Sequence, residues 1–236
     1  VTRPSGVLRA DLLLRLHERH PERYPVLLES VGDDARLGRY DLLLALPGAR
    51  LELAADGSLS GPCADRGSFL GALDAWWTAE REAPARPGTG PFRGGWFLYL
   101  GYELAGEIEP RLRLPASELV RAVAWRMRGA LVRDRSSGEV IACAETALRP
   151  QLEAALAADL RDAAVELPSV GQPLVLDVQE DDPARFLAGV KDVLEAIGRG
   201  DVYQANLSRG WRARLAGESS PTALYRRLRA ANPGPF

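Results

Sequence analysis

Few residues in this chain have the types and spacing to do chemistry. Glu103 and Glu107, in ELAGEIEP, would share one face of a helix at i,i+4, with Glu109 close behind. Paired carboxylates can bind a metal or do acid–base work. Neither has a nearby His or a third ligand at fixed spacing, so they read as a structural or solvated acidic cluster. His17 and His20 fall in an expected helix, with no carboxylate at ligand spacing on the same face. They are expected to be surface histidines. Lys191 is the only lysine. A lysine nucleophile needs a closed pocket that depresses its pKa, and Lys191 sits between Val190 and Asp192 on the polar side of its expected helix. Cys63 and Cys143 form no CxxC motif and read as two unpaired thiols. The stretch GGWFLYLG lacks the GxGxxG and GxxxxGK[ST] spacings, so its glycines point to a bulge or close backbone packing rather than a phosphate cradle.

The elements that must position these residues follow from periodicity. Leu8, Leu12, Leu16 and Arg19 form one stripe of a helix over 7–19, ended by Pro21. Residues 24–30 read as a strand, with Val26, Leu28 and Ser30 on one face and Glu29 facing away unless a bulge intervenes. A polar stretch follows over 31–38. Residues 39–46 form a second strand, apolar on both faces at Leu42, Leu43 and Leu44 and so expected to be covered on both sides. Pro47-Gly48 is expected to turn the chain into a third strand over 50–55, closed by Asp56-Gly57. A helix over 67–79 carries Phe69, Leu70, Leu73, Trp76 and Trp77 on its apolar side. A Pro/Gly-rich loop over 83–94 leads to an aromatic strand over 95–102. Strands over 119–127, 129–134 and 139–144 come next, the last two joined by a hairpin turn at 135–138. Pro150 opens a helix that runs to about Val165. Beyond a linker, a strand over 174–178 precedes a helix opened by Asp181 or Asp182 and Pro183 and ended by Gly198 or Gly200. A strand to Leu215 and a helix over 221–230 complete the series. Hairpin-like strand runs punctuated by single helices, without a regular βαβα rhythm, give an α+β class.

Composition bounds the rest. The chain has 236 residues, 46% hydrophobic and 26% charged, the profile of a folded domain or one and a half. The formal net charge is -2, so no basic excess draws it to nucleic acid. No apolar run of ~18 residues predicts a membrane span. Arg3 is followed by an amphipathic stretch rather than the apolar core of a signal peptide. A cytoplasmic location is expected. A chain opening with Val1 has lost an initiator methionine, used a valine-type start codon, or is a fragment.

Four segments, in order, carry a resemblance: LLES with GRYDLLLALP (27–47), GGWFLYLGYELAGEIEP (94–110), VLEAIGRGDVYQANLS (193–208) and LRAANPGPF (228–236). Together they resemble the chorismate-binding superfamily, which includes component I of anthranilate synthase and of aminodeoxychorismate synthase. RYDLLLALPG is closer to the aminodeoxychorismate branch. The resemblance implies packed β-sheets flanked by helices, incomplete at the C-terminus. It places an N-terminal-like region at 1–166, a linker at 167–172 and the beginning of a chorismate-binding domain at 173–236. It implies an enzyme of roughly twice this length that aminates chorismate to 4-amino-4-deoxychorismate, toward p-aminobenzoate and folate. Magnesium would be required, and a partner glutamine amidotransferase, component II, would supply the ammonia. The family's acidic magnesium ligands, acid–base glutamate and PIxGT lysine match nothing here, so no catalytic residue is assigned and the chain by itself is expected to be inactive. The resemblance also implies a tryptophan pocket at Leu28, Ser30, Leu37, Gly38, Arg39, Tyr40, Pro235 and Phe236. Trp76, Trp77 and the 83–94 loop are candidates for docking the amidotransferase, as exposed aromatics often anchor interfaces. Anthranilate synthase component I and a non-catalytic tryptophan-binding or amidotransferase-docking module are the alternatives.

Overall fold

A long two-stranded ribbon organises the first half of the chain. In the computed structural model, which describes residues 11–30, 38–81, 91–114, 118–163, 175–216 and 221–232, β2 (Tyr40–Leu53) pairs antiparallel with β5 (Ala122–Asp134) from Tyr40↔Asp134 to Leu53↔Ala122. The turn expected at Pro47-Gly48 is instead a bulge inside one continuous strand, with the register shifting between Pro47 and Arg50. Proline cannot donate to the ladder, and a bulge tolerates that loss without reversing the chain. Leu46, just before it, takes a left-handed φ of 54°, a strained conformation for a leucine that the bulge imposes. The two strands expected over 119–134 are likewise one, because β2 pairs with the chain on both sides of Arg128.

Around this ribbon, β1 (Val26–Leu28) and β3 (Leu59–Ser60) pair with β2, while β4 (Gly95–Leu100) and β6 (Val140–Ala144) pair with β5. Asp56-Gly57 makes the expected turn between β2 and β3: Gly57 has φ 87° and Ser58 N–H donates to Asp56 Oδ1 at 2.8 Å.

Helices cover the sheet. α1 (Leu12–Arg19) and α4 (Arg149–Ala163) supply Leu12, Leu13, Leu16, Leu152 and Leu156 to a core shared with Leu43, Ala45 and Leu131. Across the fold, α2 (Phe69–Glu80) lays Phe69, Ala72 and Trp76 against Leu51, Leu53, Ala122 and Ala124. The neighbouring tryptophan diverges from its expected face, since Trp77 is 46% exposed while Trp76 is 3% exposed. A third cluster gathers Leu44, Met127, Ala130, Val132 and Cys143, so β2 is buried on both faces, as its leucine run predicts.

His20 is half-buried rather than a plain surface histidine, with Nε2 3.5 Å from Asp159 and 3.3 Å from Asp162. Those carboxylates come from α4, far away in sequence. Tyr24 also donates its hydroxyl to Asp159, at 2.8 Å; burial and that carboxylate push the Tyr24 hydroxyl well above the usual phenol range.

The chain divides into two compact units, and the second contains the described residues from Val175 to Asn232. There β7 (Val175–Glu180) pairs antiparallel with β8 (Trp211–Leu215). α5 (Pro183–Arg199) begins as the sequence predicts: Asp182 accepts the Ala184 N–H at 2.9 Å, with Pro183 in the first turn, and Gly200 closes it at φ 79°. α6 (Pro221–Ala231) ends the described chain. Among the described residues no helix is long and apolar enough to cross a membrane. The expected linker at 167–172 lies outside them.

Candidate functional site

The residues singled out for a pocket converge at one end of the sheet, where β1 ends, β2 begins and β5 runs out. Leu28 pairs across the ladder with Leu42, and directly opposed residues share a face. Tyr40, two residues from Leu42, stands on that face as well. Both Leu28 and Tyr40 are half-buried, and Tyr40, like Val26 and Leu42, packs against the buried cluster of Leu44, Met127, Ala130, Val132 and Cys143. This supplies an apolar wall.

Ser30 and Gly38 close the end of the sheet. A Cβ at position 38 would stand 2.6 Å from Ser30 Cβ and 3.0 Å from its Oγ, closer than any real side chain approaches, so only glycine permits this contact. Ser30 is 4% exposed, and its N–H donates to Asp41 Oδ1 at 3.0 Å. Arg39 turns outward: its Nε and Nη2 donate to Asp134 Oδ2 at 3.0 and 2.9 Å, and its guanidinium lies 4.9 Å over the Tyr40 ring. Leu37, Pro235 and Phe236 lie outside the described residues.

Four polar residues that the sequence reading did not place in the pocket lie at the same end of the sheet, Asp41 and Arg133 on the face opposite Leu28 and Tyr40. Glu29 is 5% exposed; it does not face solvent, because β1 stops at Leu28 and strand alternation no longer governs it. Asp41 is 3% exposed and receives Arg133 Nη1 on Oδ2 at 3.4 Å. Arg135 donates from Nη1 to Gly38 O at 3.3 Å. Arg133 Nε is buried and meets no acceptor among the described residues. The signal for Arg133 was available only through pairing, since it stands directly opposite Asp41 in the ladder.

Electrostatics divide two neighbouring carboxylates. Burial pushes the Asp41 carboxyl up, opposed by the Ser30 N–H and reinforced by Glu29, with Arg133 and Arg135 pulling it back down. Asp134 is held down at about 2, chiefly by the Ser136 hydroxyl against a burial penalty, with the Ser136 N–H and Arg39 adding to it. The buried corner thus holds carboxylates and guanidinium groups at short range.

The other candidates have structural work. Glu107, on α3 (Ala105–Ile108), accepts the Phe69 and Leu70 N–H groups on its two oxygens at 2.8 and 3.0 Å. It caps the start of α2, where backbone donors lack partners and the dipole favours an anion. Trp76 Nε1 donates to Glu80 at 2.6 Å, and Arg126 ties Glu80 to Glu145 with contacts of 2.7 and 2.6 Å. Lys191 is exposed. The described residues do not fit magnesium, as no group of three or more His, Cys, Asp or Glu side chains among them converges to hold an ion. No metal-dependent step is assigned to them.

Comparison with known proteins bears on the fold and the family. Anthranilate synthase component 1 of Streptomyces coelicolor is 32% identical over 179 residues, covering 67% of this chain and 34% of that protein. A 2-amino-4-deoxychorismate synthase of Streptomyces globisporus is 28% identical over 211 residues, covering 85% of this chain and 42% of that protein. The chain therefore spans well under half the length of either relative. The crystal structure of anthranilate synthase component I from Streptococcus pneumoniae superposes with a TM-score of 0.64 at 21% identity, over 100% of this chain and 53% of that one. It shares the fold of mixed helices and antiparallel sheets. Residues 40–236 match the family described as chorismate binding enzyme, and the chain belongs to that family.

Proposed function

We propose that this chain forms the N-terminal part of component I of an aminodeoxychorismate synthase. The whole enzyme would replace the chorismate hydroxyl by ammonia received from a glutamine amidotransferase, with magnesium bound outside the residues described here. The family match over 40–236, together with the RYDLLLALPG wording at the start of β2, supports this reading. The role of these residues is then to bind and brace rather than to turn over substrate. The experiment is an assay of the purified 236-residue protein with chorismate, ammonia and magnesium. No aminated product is expected, and product formation would overturn the division of labour.

A second reading, anthranilate synthase component I, is favoured by the 32% identity to the Streptomyces coelicolor enzyme. The name of the Streptomyces globisporus relative also puts its amine on carbon 2, whereas the proposed product carries it on carbon 4. Chromatography of the product made by the full-length protein separates the three outcomes: amine on carbon 4, amine on carbon 2, or anthranilate.

Within either reading, the end of the sheet is proposed as an L-tryptophan pocket. Leu28 and Tyr40 would flank the indole. Ser30 and Gly38, at the strand end beside them, would border the amino-acid head. A tryptophan-binding or amidotransferase-docking module is the non-catalytic version of this proposal. Calorimetry with L-tryptophan decides: no heat at millimolar ligand, from protein shown to be folded, removes the pocket.

A further inference from the structure

The order β1-β2-β5-β4 leaves β4 at the margin of the sheet, with β5 its only strand partner among the described residues. Edges of this kind usually carry a lysine, a proline or a bulge that discourages further pairing. β4 reads GWFLYL and pairs with β5 without a register shift, so it has none of these. Gly101 N–H donates to Arg121 O at 2.8 Å, which fixes the alternation along the strand. The backbone groups of Trp96, Leu98 and Leu100 therefore point away from β5, toward the open margin.

The same residues border a hollow. Leu70, Leu73, Asp74 and Trp77 of α2 face Trp96 and Leu98 of β4 around about 370 Å³, room for one or two apolar side chains. Leu98 and Leu100 are 44% and 52% exposed. Asp74 is exposed at the rim. Trp96 Nε1 is buried with no hydrogen-bond partner among the described residues.

These features fit one kind of occupant. An open strand margin offers alternating donors and acceptors to an extended backbone. A helix-walled hollow beside it takes every second side chain of that backbone. The carboxylate at the rim selects a cation. We infer that the groove between α2 and β4 binds an extended segment of a partner protein, laid antiparallel to β4, with an apolar side chain in the hollow and a lysine or arginine beside Asp74. In an antiparallel pair, the segment's residues that bond to β4 also direct their side chains to the α2 face. Backbone chemistry and side-chain chemistry are thus read from the same alternate positions.

The test uses the full chain and a blocked, fluorescein-labelled hexapeptide of sequence LTKTLT, followed by anisotropy. Saturable binding is expected. Methylating the backbone nitrogens of the first, third and fifth residues should abolish it, while methylating the second, fourth and sixth should leave it within about twofold, because those amides face water. Replacing the peptide lysine by glutamate should weaken binding about fivefold, and Asp74→Asn should erase that preference. Leu98→Lys should abolish binding in protein whose circular dichroism is unchanged. Equal effects of the two methylation patterns, or no saturation at millimolar peptide, would overturn the inference. So would a dimer that Leu98→Lys dissociates and the peptide displaces, which would make a second copy the occupant. Binding seen only after deletion of residues 82–90 would also overturn it, by showing that the chain covers its own groove.

Discussion

In the first unit, α1 has 8 residues and buries Leu12, Leu13, Leu14 and Leu16. In the second, α5 has 17 residues and buries none. Both helices are amphipathic, and both are capped or ended by ordinary signals. Leu187 and Leu194 of α5 are nonetheless 66% and 63% exposed, and every residue of β7 is exposed. Periodicity thus decides that a helix forms and which stripe is apolar, while burial depends on a second surface being present to receive that stripe. The first unit provides one through the bulged ribbon of β2 and β5.

The sharpest way to break this comparison is to remove core side chains from both units. Leu43→Ala, fully buried beneath α1 and α4, should cost about 3 kcal/mol in urea denaturation. A loss below ~1 kcal/mol would mean the ribbon is not the centre of the first unit.

Gly38→Ala should cost about 2 kcal/mol, because the new methyl meets the Ser30 side chain at 2.6 Å. It should also abolish any heat from L-tryptophan; a stable variant with unchanged calorimetry would separate this corner from the pocket. Glu107→Gln should cost about 1 kcal/mol by weakening the cap on α2, measurable as a lower urea midpoint.

Acid should act in opposite directions on two carboxylates at the sheet end. Asp134 has its folded-state pKa depressed to about 2. Its contribution is present above the unfolded value near 3.8 and is lost as the pH falls toward 2. Asp41 is raised, so folding favours its protonated form, and its contribution grows as the pH falls through that raised value toward 3.8. Asp134→Asn should flatten the loss of stability between pH 4 and 2, and Asp41→Asn should remove the gain above it. Urea titrations at stepped pH read both. The smallest effect belongs to the second unit: Leu194→Ala should change stability by less than about 0.5 kcal/mol, and a larger loss would show that the exposed stripe has a partner.

Much of the architecture was legible in the residues themselves. Asp181 or Asp182 with Pro183, and Gly198 or Gly200, bracketed the ends of α5, and Asp56-Gly57 marked a turn, because caps and turns are local chemistry. Pro47-Gly48 misled because the same dipeptide serves a reversal or a bulge, and only the partner strand chooses between them. At the candidate site, Ser30 and Gly38 meet where the chain re-enters the sheet. Asp41 and Arg133 were missed, since their contact exists only through the register of β2 on β5. His20 found Asp159 and Asp162 for the same reason, by the docking of two helices rather than by spacing.

The kink at Pro47 has a thermal consequence. Leu43 and Ala45 lie before it in the cluster under α1 and α4, and Leu51 and Leu53 lie after it in the cluster under α2. One uninterrupted pair of strands is therefore shared by both clusters. Heating should melt them in a single calorimetric peak, because neither can come apart while the other keeps the ribbon zipped.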